Sequence, residues 1–182
     1  RAQRAVTTLR RTLTTADTSS ALSQNATSAY SKSCYLNIDW RIPAEATTHE
    51  AVQRMCSHRI GCLAVMDANS RVVGVVSERD YINKVAVLNK DPHKTKVIEI
   101  CTQGEANLVS VSAKETVDSA MEKLLSSDIR HLLVREDESP GAAVVGMISV
   151  KDLVKCVVDK HSAQINRLED IVLTQDMLRY QM

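Results

Sequence analysis

Short apolar runs alternate with segments of helical periodicity along most of this chain. Cys62–Met66 and residues 72–76 are β-branched and aliphatic runs, and residues 67–70 between them are polar, which predicts a β-hairpin. Apolar residues near helical spacing precede the hairpin over residues 51–60, and a helical pattern resumes over residues 81–88. The first half therefore predicts the order strand, helix, strand, strand, helix.

The same order returns in the second half. Residues 47–55 align with residues 116–124 at an offset of 69 residues, with Thr47 on Thr116 and Ala51 on Ala120. The second half predicts a helix over residues 117–126, strands over 132–135 and 143–148, and a helix that opens near Val150. Two such units would bury their apolar faces against each other. The sequence therefore predicts an α/β (α+β) fold made of tandem β-α-β-β-α repeats.

A Gly-x-x-Ser-x-x-Asp pattern closes each hairpin and opens the following helix. It reads Gly74-Val75-Val76-Ser77-Glu78-Arg79-Asp80 in the first repeat and Gly146-Met147-Ile148-Ser149-Val150-Lys151-Asp152 in the second. A carboxylate can accept hydrogen bonds from both hydroxyls of a ribose, and the hydroxyl and amides of a helix start suit sugar or phosphate oxygens. The duplicated pattern indicates two related nucleotide pockets built on Ser77 with Asp80 and on Ser149 with Asp152.

A purely structural interpretation of the same residues stays open. Ser-x-x-Asp is nearly a helix capping box, in which the serine and the aspartate only satisfy free amides of the first helical turn. Repetition does not separate the two interpretations, because caps repeat with the fold.

Composition narrows the class of protein. Of 182 residues, 44% are hydrophobic but only 3% are aromatic, with no Phe, so platforms for stacking nucleic-acid bases are scarce. Lys and Arg number 23 against 22 Asp and Glu, which gives no basic field for nucleic acid. No apolar stretch has the length of a membrane span. The five cysteines lack disulfide or zinc spacing and indicate reduced core thiols, with a redox role open for Cys34 and Cys101.

Both ends differ from the repeats. Residues 1–33 are rich in Ser, Thr, Ala and Arg and contain Asp17 as their single acid, which is typical of a mitochondrial transit peptide, although a disordered polar tail is the alternative. Near the other end, Ile165, Leu168 and Val172 follow helical spacing. This amphipathic helix is expected to dock either on its own core or on a partner.

The repeat, its element order and its closing motif together resemble a CBS-domain pair, also called a Bateman module. The resemblance covers about residues 36–160, and residues 75–81 and 128–132 are close to the usual wording of the family. Stand-alone mitochondrial two-CBS proteins of plants and algae are the most similar group. The resemblance implies two repeats packed about a pseudo-two-fold axis, with an adenosine nucleotide such as AMP, ADP or ATP between them and Mg as a candidate companion of the phosphates.

The resemblance also implies roles for further residues. Main-chain groups of each repeat's first strand would select adenine, at Arg41 and Ile42 in one site and at Ser110 and Val111 in the other. Cations from across the cleft would hold the phosphates. The candidates are His58, Arg59, Arg79, Arg130, His131 and Lys151, of which Arg130 and His131 are most like the family's phosphate contacts.

These observations predict four segments: a transit-like or partner-docking tail (1–35), repeat 1 (36–90), repeat 2 (91–160) and a C-terminal amphipathic helix (161–182). The expected function is non-catalytic regulation by adenosine nucleotides in the mitochondrial matrix. The alternative is an accessory structural subunit of a large mitochondrial assembly such as a respiratory complex. Expected protein partners are a second copy or that larger complex, and a thioredoxin-type partner enters by analogy alone.

Overall fold

Two small β-sheets, one from each repeat, organise the computed structural model, which describes residues 25–139 and 141–179. In chain order its helices and strands are α1 (Ala26–Ser31), β1 (Arg41–Pro43), α2 (Thr48–His58), β2 (Cys62–Met66), β3 (Val72–Ser77), α3 (Glu78–Tyr81), β4 (Thr102–Gln103), β5 (Ser110–Ser112), α4 (Val117–Ser126), β6 (His131–Arg135), β7 (Val144–Ser149) and α5 (Val150–Arg179). A π-helical turn over Ile82–Ala86 continues α3, and 3-10 helices span Cys34–Asn37, Val97–Glu99 and Glu105–Asn107. The predicted α+β fold of two repeats is confirmed.

The two sheets share their topology and register. β1 runs parallel to β2, which pairs antiparallel with β3, and β5, β6 and β7 repeat this arrangement. Arg41 pairs with Ala64 in the first repeat, and Ser110 pairs with Leu133 in the second, at the offset of 69 residues found in the sequence. β4 adds a fourth strand to the first sheet by pairing with β3.

The first helix of each repeat begins and ends in the same way. Thr47 caps α2 by accepting a hydrogen bond from the Glu50 amide at 3.2 Å, and Thr116 caps α4 through the Ser119 amide at the same distance. After the helix, Arg59 and Asp128 take a left-handed backbone, with φ of 54° and 48°. Each chain reversal therefore returns the chain to the sheet at the start of its central strand, β2 or β6.

Buried aliphatic side chains form two clusters that interlock between the repeats. The first cluster is centred on the first repeat, but Leu133 of β6 and Met147 of β7 belong to it. The second cluster joins α4, β6, β7 and the first turns of α5, and it includes Ala26 and Ala29 of α1. Because β6 and β7 of the second sheet place side chains in the first cluster, the two repeats pack as one unit with a groove between them.

The N-terminal segment is part of this packing from residue 25 onward. Ala26 and Ala29 are fully buried against the second repeat, and the Ala26 amide donates to the Glu115 carbonyl oxygen at 2.8 Å. Composition assigned these residues to a polar tail, since nothing in their spacing shows that a neighbouring sheet covers them. The expectation of a transit-like tail covers residues 1–35, of which residues 1–24 lie outside the described residues.

The last helix, α5, is buried only at its start. Leu153 and Cys156 are fully buried, whereas Ile165, Leu168 and Val172 are more than half exposed. The described part of α5 thus projects its second half away from the two cores, and docking on its own core is not what the structure shows. Within the described residues, no helix is long and apolar enough to cross a membrane.

We expect Leu133→Ala to lower the free energy of unfolding by about 2–5 kcal/mol, because it empties a fully packed position where the two cores meet. Leu125→Ala on α4 is the matched control, since Leu125 is 75% exposed and should change stability by less than about 0.5 kcal/mol. Urea unfolding followed by circular dichroism measures both. Equal effects of the two substitutions would contradict the interlocked core.

Candidate functional site

A cleft with a cavity volume of about 240 Å³ lies between the repeats. Repeat 1 contributes the end of β3 and the start of α3, and repeat 2 contributes the segment before β5 and the turn before β6. Its polar lining residues are Ser77, Arg79, Asp80, Thr102, Asn107, Asp128, Arg130 and His131, and the rest of the lining is mostly aliphatic, including Val75, Leu108, Val109, Leu133 and Met147. Mixed walls of this kind are typical of small-molecule sites.

Asp80 sits at the floor of this cleft in a capping box. Its Oδ2 accepts hydrogen bonds from the Ser77 amide at 2.9 Å and from the Ser77 hydroxyl at 2.7 Å, while Oδ1 pairs with Lys84 Nζ at 2.7 Å. The capping interpretation is therefore realised in the structure. A carboxylate has about four lone-pair directions, and three of them are used here, so capping leaves Asp80 able to accept one further hydrogen bond.

The opposite wall belongs to the second repeat. Asn107, Leu108 and Val109 run along it just before β5, and Arg130 extends its exposed side chain at the end that opens to solvent. Arg79 of the first repeat reaches Asp128 Oδ2 at 3.7 Å, an exposed ion pair across the cleft mouth. An exposed pair like this is weak, so Arg79 can turn toward an anion that enters the cleft, and the exposed Arg130 lines the same cleft.

His131 is held neutral by its position in the wall. Burial, and next the positive charge of Arg130, lower the pKa of the His131 imidazole from 6.5 to about 4. Its ring also meets the edge of Tyr35, with ring centroids 6.0 Å apart. At neutral pH His131 can exchange hydrogen bonds with a ligand, but the positive charge at this wall comes from Arg130.

The repeat-related pocket around Ser149 and Asp152 is closed. Asp152 is 5% exposed, and its Oδ2 accepts hydrogen bonds from the Ser149 amide at 2.8 Å, the Ser149 hydroxyl at 2.7 Å and the Ser33 hydroxyl at 2.9 Å. The last donor comes from the N-terminal segment, 119 residues away in sequence. Asp152 is thus capped like Asp80, with a serine of the same chain over it.

Other predicted residues lie apart from the cleft. Ile42 and Val111 are buried in the cores of β1 and β5, and the exposed Arg41 pairs with Asp39 at 3.0 Å. Ser110 accepts a hydrogen bond from Arg135 Nε at 3.0 Å. These residues therefore do not line the first cleft, and their adenine role remains a prediction from the resemblance.

The structure brings together Ser77, Asp80, Arg79, Arg130 and His131. Lys151 is exposed on the first turn of α5 and does not line this cleft. Sequence reasoning missed the wall formed by Asn107, Leu108 and Val109, which lies one to three residues before the predicted strand positions. It also missed Ser33. The sequence signal that could have identified this segment is the pair of tyrosines, Tyr30 and Tyr35, on either side of Ser33 in a chain with few aromatic residues.

The thiols and metal-ligating groups add no second chemistry to the cleft. Cys62, Cys101 and Cys156 are buried, and burial raises the pKa of the Cys62 and Cys101 thiols. A raised pKa works against a reactive thiolate, so the redox alternative loses support at Cys101. Across residues 25–139 and 141–179, no cluster of His, Cys, Asp and Glu has the arrangement of a metal site.

Comparison with known families decides the membership of this chain. A sequence model of the CBS domain matches residues 41–87 and 97–159, once in each repeat. The chain belongs to the CBS-domain family. The two matched segments contain both Ser-x-x-Asp turns, so the resemblance inferred from the sequence is confirmed. CBS-domain pairs act in general as regulatory modules.

Individual CBS relatives are moderately similar to it. The mitochondrial CBS domain-containing protein CBSX3 of Arabidopsis thaliana is 33% identical over 124 residues, which span 67% of this chain and 58% of the relative. A CBS-domain protein of known structure from Burkholderia ambifaria is 30% identical with a TM-score of 0.60 and coverages of 67% and 84%. A CBS protein from Pyrobaculum aerophilum, solved in complex with AMP, is 24% identical with a TM-score of 0.55 and coverages of 67% and 90%.

The low pKa of His131 gives the CBS pair a pH-dependent stability. The unfolded chain protonates this residue near pH 6.5 but the folded chain only near pH 4, so the unfolded state binds the extra proton between these values. Stability should fall as the pH drops from 6.5 to 4. Between pH 7 and pH 5 we expect His131 to account for a loss of about 2 kcal/mol.

Urea unfolding at pH 7 and pH 5 tests this, with His131→Gln as the variant and His161→Gln on the exposed face of α5 as the control. The loss between the two pH values should shrink by about 2 kcal/mol in His131→Gln and stay unchanged in His161→Gln. A wild-type pH dependence retained in His131→Gln would assign it to other groups.

Proposed function

We propose that this CBS pair is a non-catalytic regulatory module that binds one adenosine nucleotide in the cleft between its repeats. One observation supports this most directly: an acid of repeat 1 and an arginine of repeat 2 line the same mixed-polarity cleft. Asp80 and Arg130 belong to different repeats, so a molecule that contacts both would hold the repeats in a defined relation. Such a ligand links occupancy to the packing of the module, as a sensor requires.

The chemistry of the cleft fits the parts of a nucleotide. The free acceptor capacity of Asp80 matches a ribose hydroxyl, and the Ser77 hydroxyl lies beside it. The aliphatic side chains of Val75, Leu108 and Met147 offer an apolar slot for a base. At the mouth, Arg79 and Arg130 match phosphate, because a guanidinium binds phosphate oxygens in a bidentate manner.

Regulation and location rest on the family. CBS pairs are generally regulatory, and the Pyrobaculum relative was solved with AMP, which supports an adenosine nucleotide as the ligand class here. The Arabidopsis relative is mitochondrial, which supports a mitochondrial matrix setting for this chain. The chain spans 58% of the length of that relative. Mg²⁺ would enter the proposal as a companion of ADP or ATP phosphates.

Isothermal titration with AMP, ADP, ATP and NAD should detect one binding event per chain. Arg130→Ala is expected to weaken binding by about 10- to 100-fold, because it removes a charge-assisted contact of roughly 1.5–3 kcal/mol from the phosphate. Asp80→Asn should also weaken binding, since a carboxylate becomes an amide that accepts more weakly from a sugar hydroxyl.

Arg71→Ala is the matched control for Arg130→Ala. It removes an exposed arginine and the same charge, but Arg71 pairs with Asp67 in the loop between β2 and β3, outside the cleft. Its affinity should stay within about twofold of the wild type. Equal losses in both variants would indicate a general charge effect, and absence of heat with every nucleotide would remove the proposed function.

The exposed stripe of α5 favours a second candidate function, that of an accessory subunit of a larger mitochondrial assembly. Five apolar residues along one face of this helix are 46–62% exposed, where an unpartnered helix would present polar side chains: Val154, Val158, Ile165, Leu168 and Val172. A helix whose apolar side chains are exposed beyond its first turns suits docking into a groove of a partner protein. Nucleotide binding and docking can coexist in one chain.

We expect the double variant Ile165→Glu and Leu168→Glu to abolish co-migration of the tagged chain with a respiratory complex on native gels of mitochondria, because charges would replace the apolar contact. Ser162→Glu with Asn166→Glu is the control, since it adds the same charge to two exposed polar positions of α5. AMP affinity should be unchanged in both. A free chain in the wild type, or loss with the control alone, would contradict docking through this stripe.

A further inference from the structure

The second pocket of the pair is filled by the protein's own N-terminal segment. Ser33 donates its hydroxyl hydrogen to Asp152 Oδ2 at 2.9 Å, in the way that a ribose hydroxyl would approach this carboxylate. Tyr30 covers Gly146 so closely that a Cβ atom there would lie 2.5 Å from the ring. Tyr35 is buried, and its hydroxyl donates to the Cys62 carbonyl oxygen at 3.4 Å. The Ser33 hydroxyl and the Tyr30 ring thus cover the Asp152 turn and the strand that leads to it, while Tyr35 anchors the segment in the first cluster.

Contacts on both sides hold this segment in place. At the start of the segment, the Thr27 amide and hydroxyl donate to the Ala113 carbonyl oxygen at 3.1 and 2.7 Å. Beside it, Lys32 Nζ pairs with Asp159 Oδ2 of α5 at 2.7 Å. That pair is about 40% exposed and contributes little, and α1 has six residues, too few to be helical alone. The segment is therefore held by its docking contacts.

The first repeat shows what the same groove looks like when it is left accessible. There, Gly74 is covered by Thr102 and Cys101 of the linker between repeats, in the position that Tyr30 takes at Gly146. Each covering segment continues into a 3-10 helix and then into the first strand of a repeat. The 3-10 helix is Glu105–Asn107 before β5 and Cys34–Asn37 before β1. Thr102 lines the cleft but makes no hydrogen bond with Asp80, whose third donor is Lys84. Ser33 therefore marks the difference between the two sites.

We propose that residues 26–35 are an internal plug that occupies the second nucleotide site, so that this pair binds one nucleotide until the segment leaves. The inference rests on the proposed function for the identity of the ligand. It assigns Ser33 to the position of the ribose hydroxyl and Tyr30 to the space beside it, with Tyr35 as the anchor of the segment in the first cluster. Release of the segment exposes Ser149 and Asp152 and adds a second site. The two sites are thereby made unequal, although their Ser-x-x-Asp turns are the same.

Full-length chains carrying single substitutions test the plug with AMP as the probe. Ser33→Asp puts a second carboxylate where Ser33 now donates to Asp152, and the repulsion should expel the segment. Ser31→Asp is the matched control, since it adds the same charge two residues away at an exposed position. Tyr30→Ala is a second way to loosen the segment. Titration calorimetry gives the number of AMP sites, and hydrogen exchange of residues 26–35 shows whether the segment has left.

We expect one AMP per chain in the wild type and in Ser31→Asp, and two in Ser33→Asp and Tyr30→Ala. The gained site should vanish when Asp152→Ala is added to Tyr30→Ala, and the amides of residues 26–29 should exchange at least tenfold faster in both plug variants. Two sites in the wild type with the segment still protected would overturn the plug. A single site in both folded plug variants, with the segment released, would overturn it as well.

Failure of the proposed function is visible separately. If the wild type binds no AMP but Ser33→Asp gains one site, the plug is supported and the first cleft is not a nucleotide site. If neither wild type nor plug variants bind AMP, both proposals fall. If Ser33→Asp does not fold, Tyr30→Ala and its double variant decide the question alone.

Discussion

The structure depends on the way each repeat satisfies one aspartate at the first turn of a helix. The backbone amide and hydroxyl of a serine three residues earlier bind the same carboxylate oxygen, at 2.7–2.9 Å in both repeats. This capping box fixes the carboxylate at the junction of strand and helix, where the groove between the repeats begins. Capping and ligand binding are therefore compatible, because the capping hydrogen bonds orient the carboxylate oxygens that a ligand would contact.

What surrounds each capped aspartate makes the two halves different. Beside Asp80 lies a lysine from the next helical turn, and the linker before β5 forms an open wall. Beside Asp152, the corresponding covering segment brings a serine that donates a third hydrogen bond to the carboxylate and a tyrosine, Tyr30, that covers the strand leading to it. The asymmetry arises from the different segments that lead into β1 and β5. A duplicated fold can thus hold one open and one closed site with no change to its motif.

Electrostatics divide the open cleft into a neutral interior and a charged mouth. Burial keeps His131 uncharged near neutral pH, and the exposed Arg79 and Arg130 remain at the solvent side. Charge placed at the mouth avoids the cost of burying an unpaired cation in the wall. The apolar stripe of α5 lies in solvent for a different reason, which is that the second cluster takes side chains only from the first turns of this helix.

The sequence by itself determined the repeat, its element order and the position of the Ser-x-x-Asp turns, because these are local patterns of periodicity and capping that a chain carries wherever it folds. Membership in the CBS family followed from the same patterns. Only the tertiary structure decided which residues share a cleft. Three features depend on contacts between segments that are far apart in sequence: the wall at Asn107, Leu108 and Val109, the neutral state of His131, and the contact between Ser33 and Asp152. Local spacing of residues does not specify such long-range contacts.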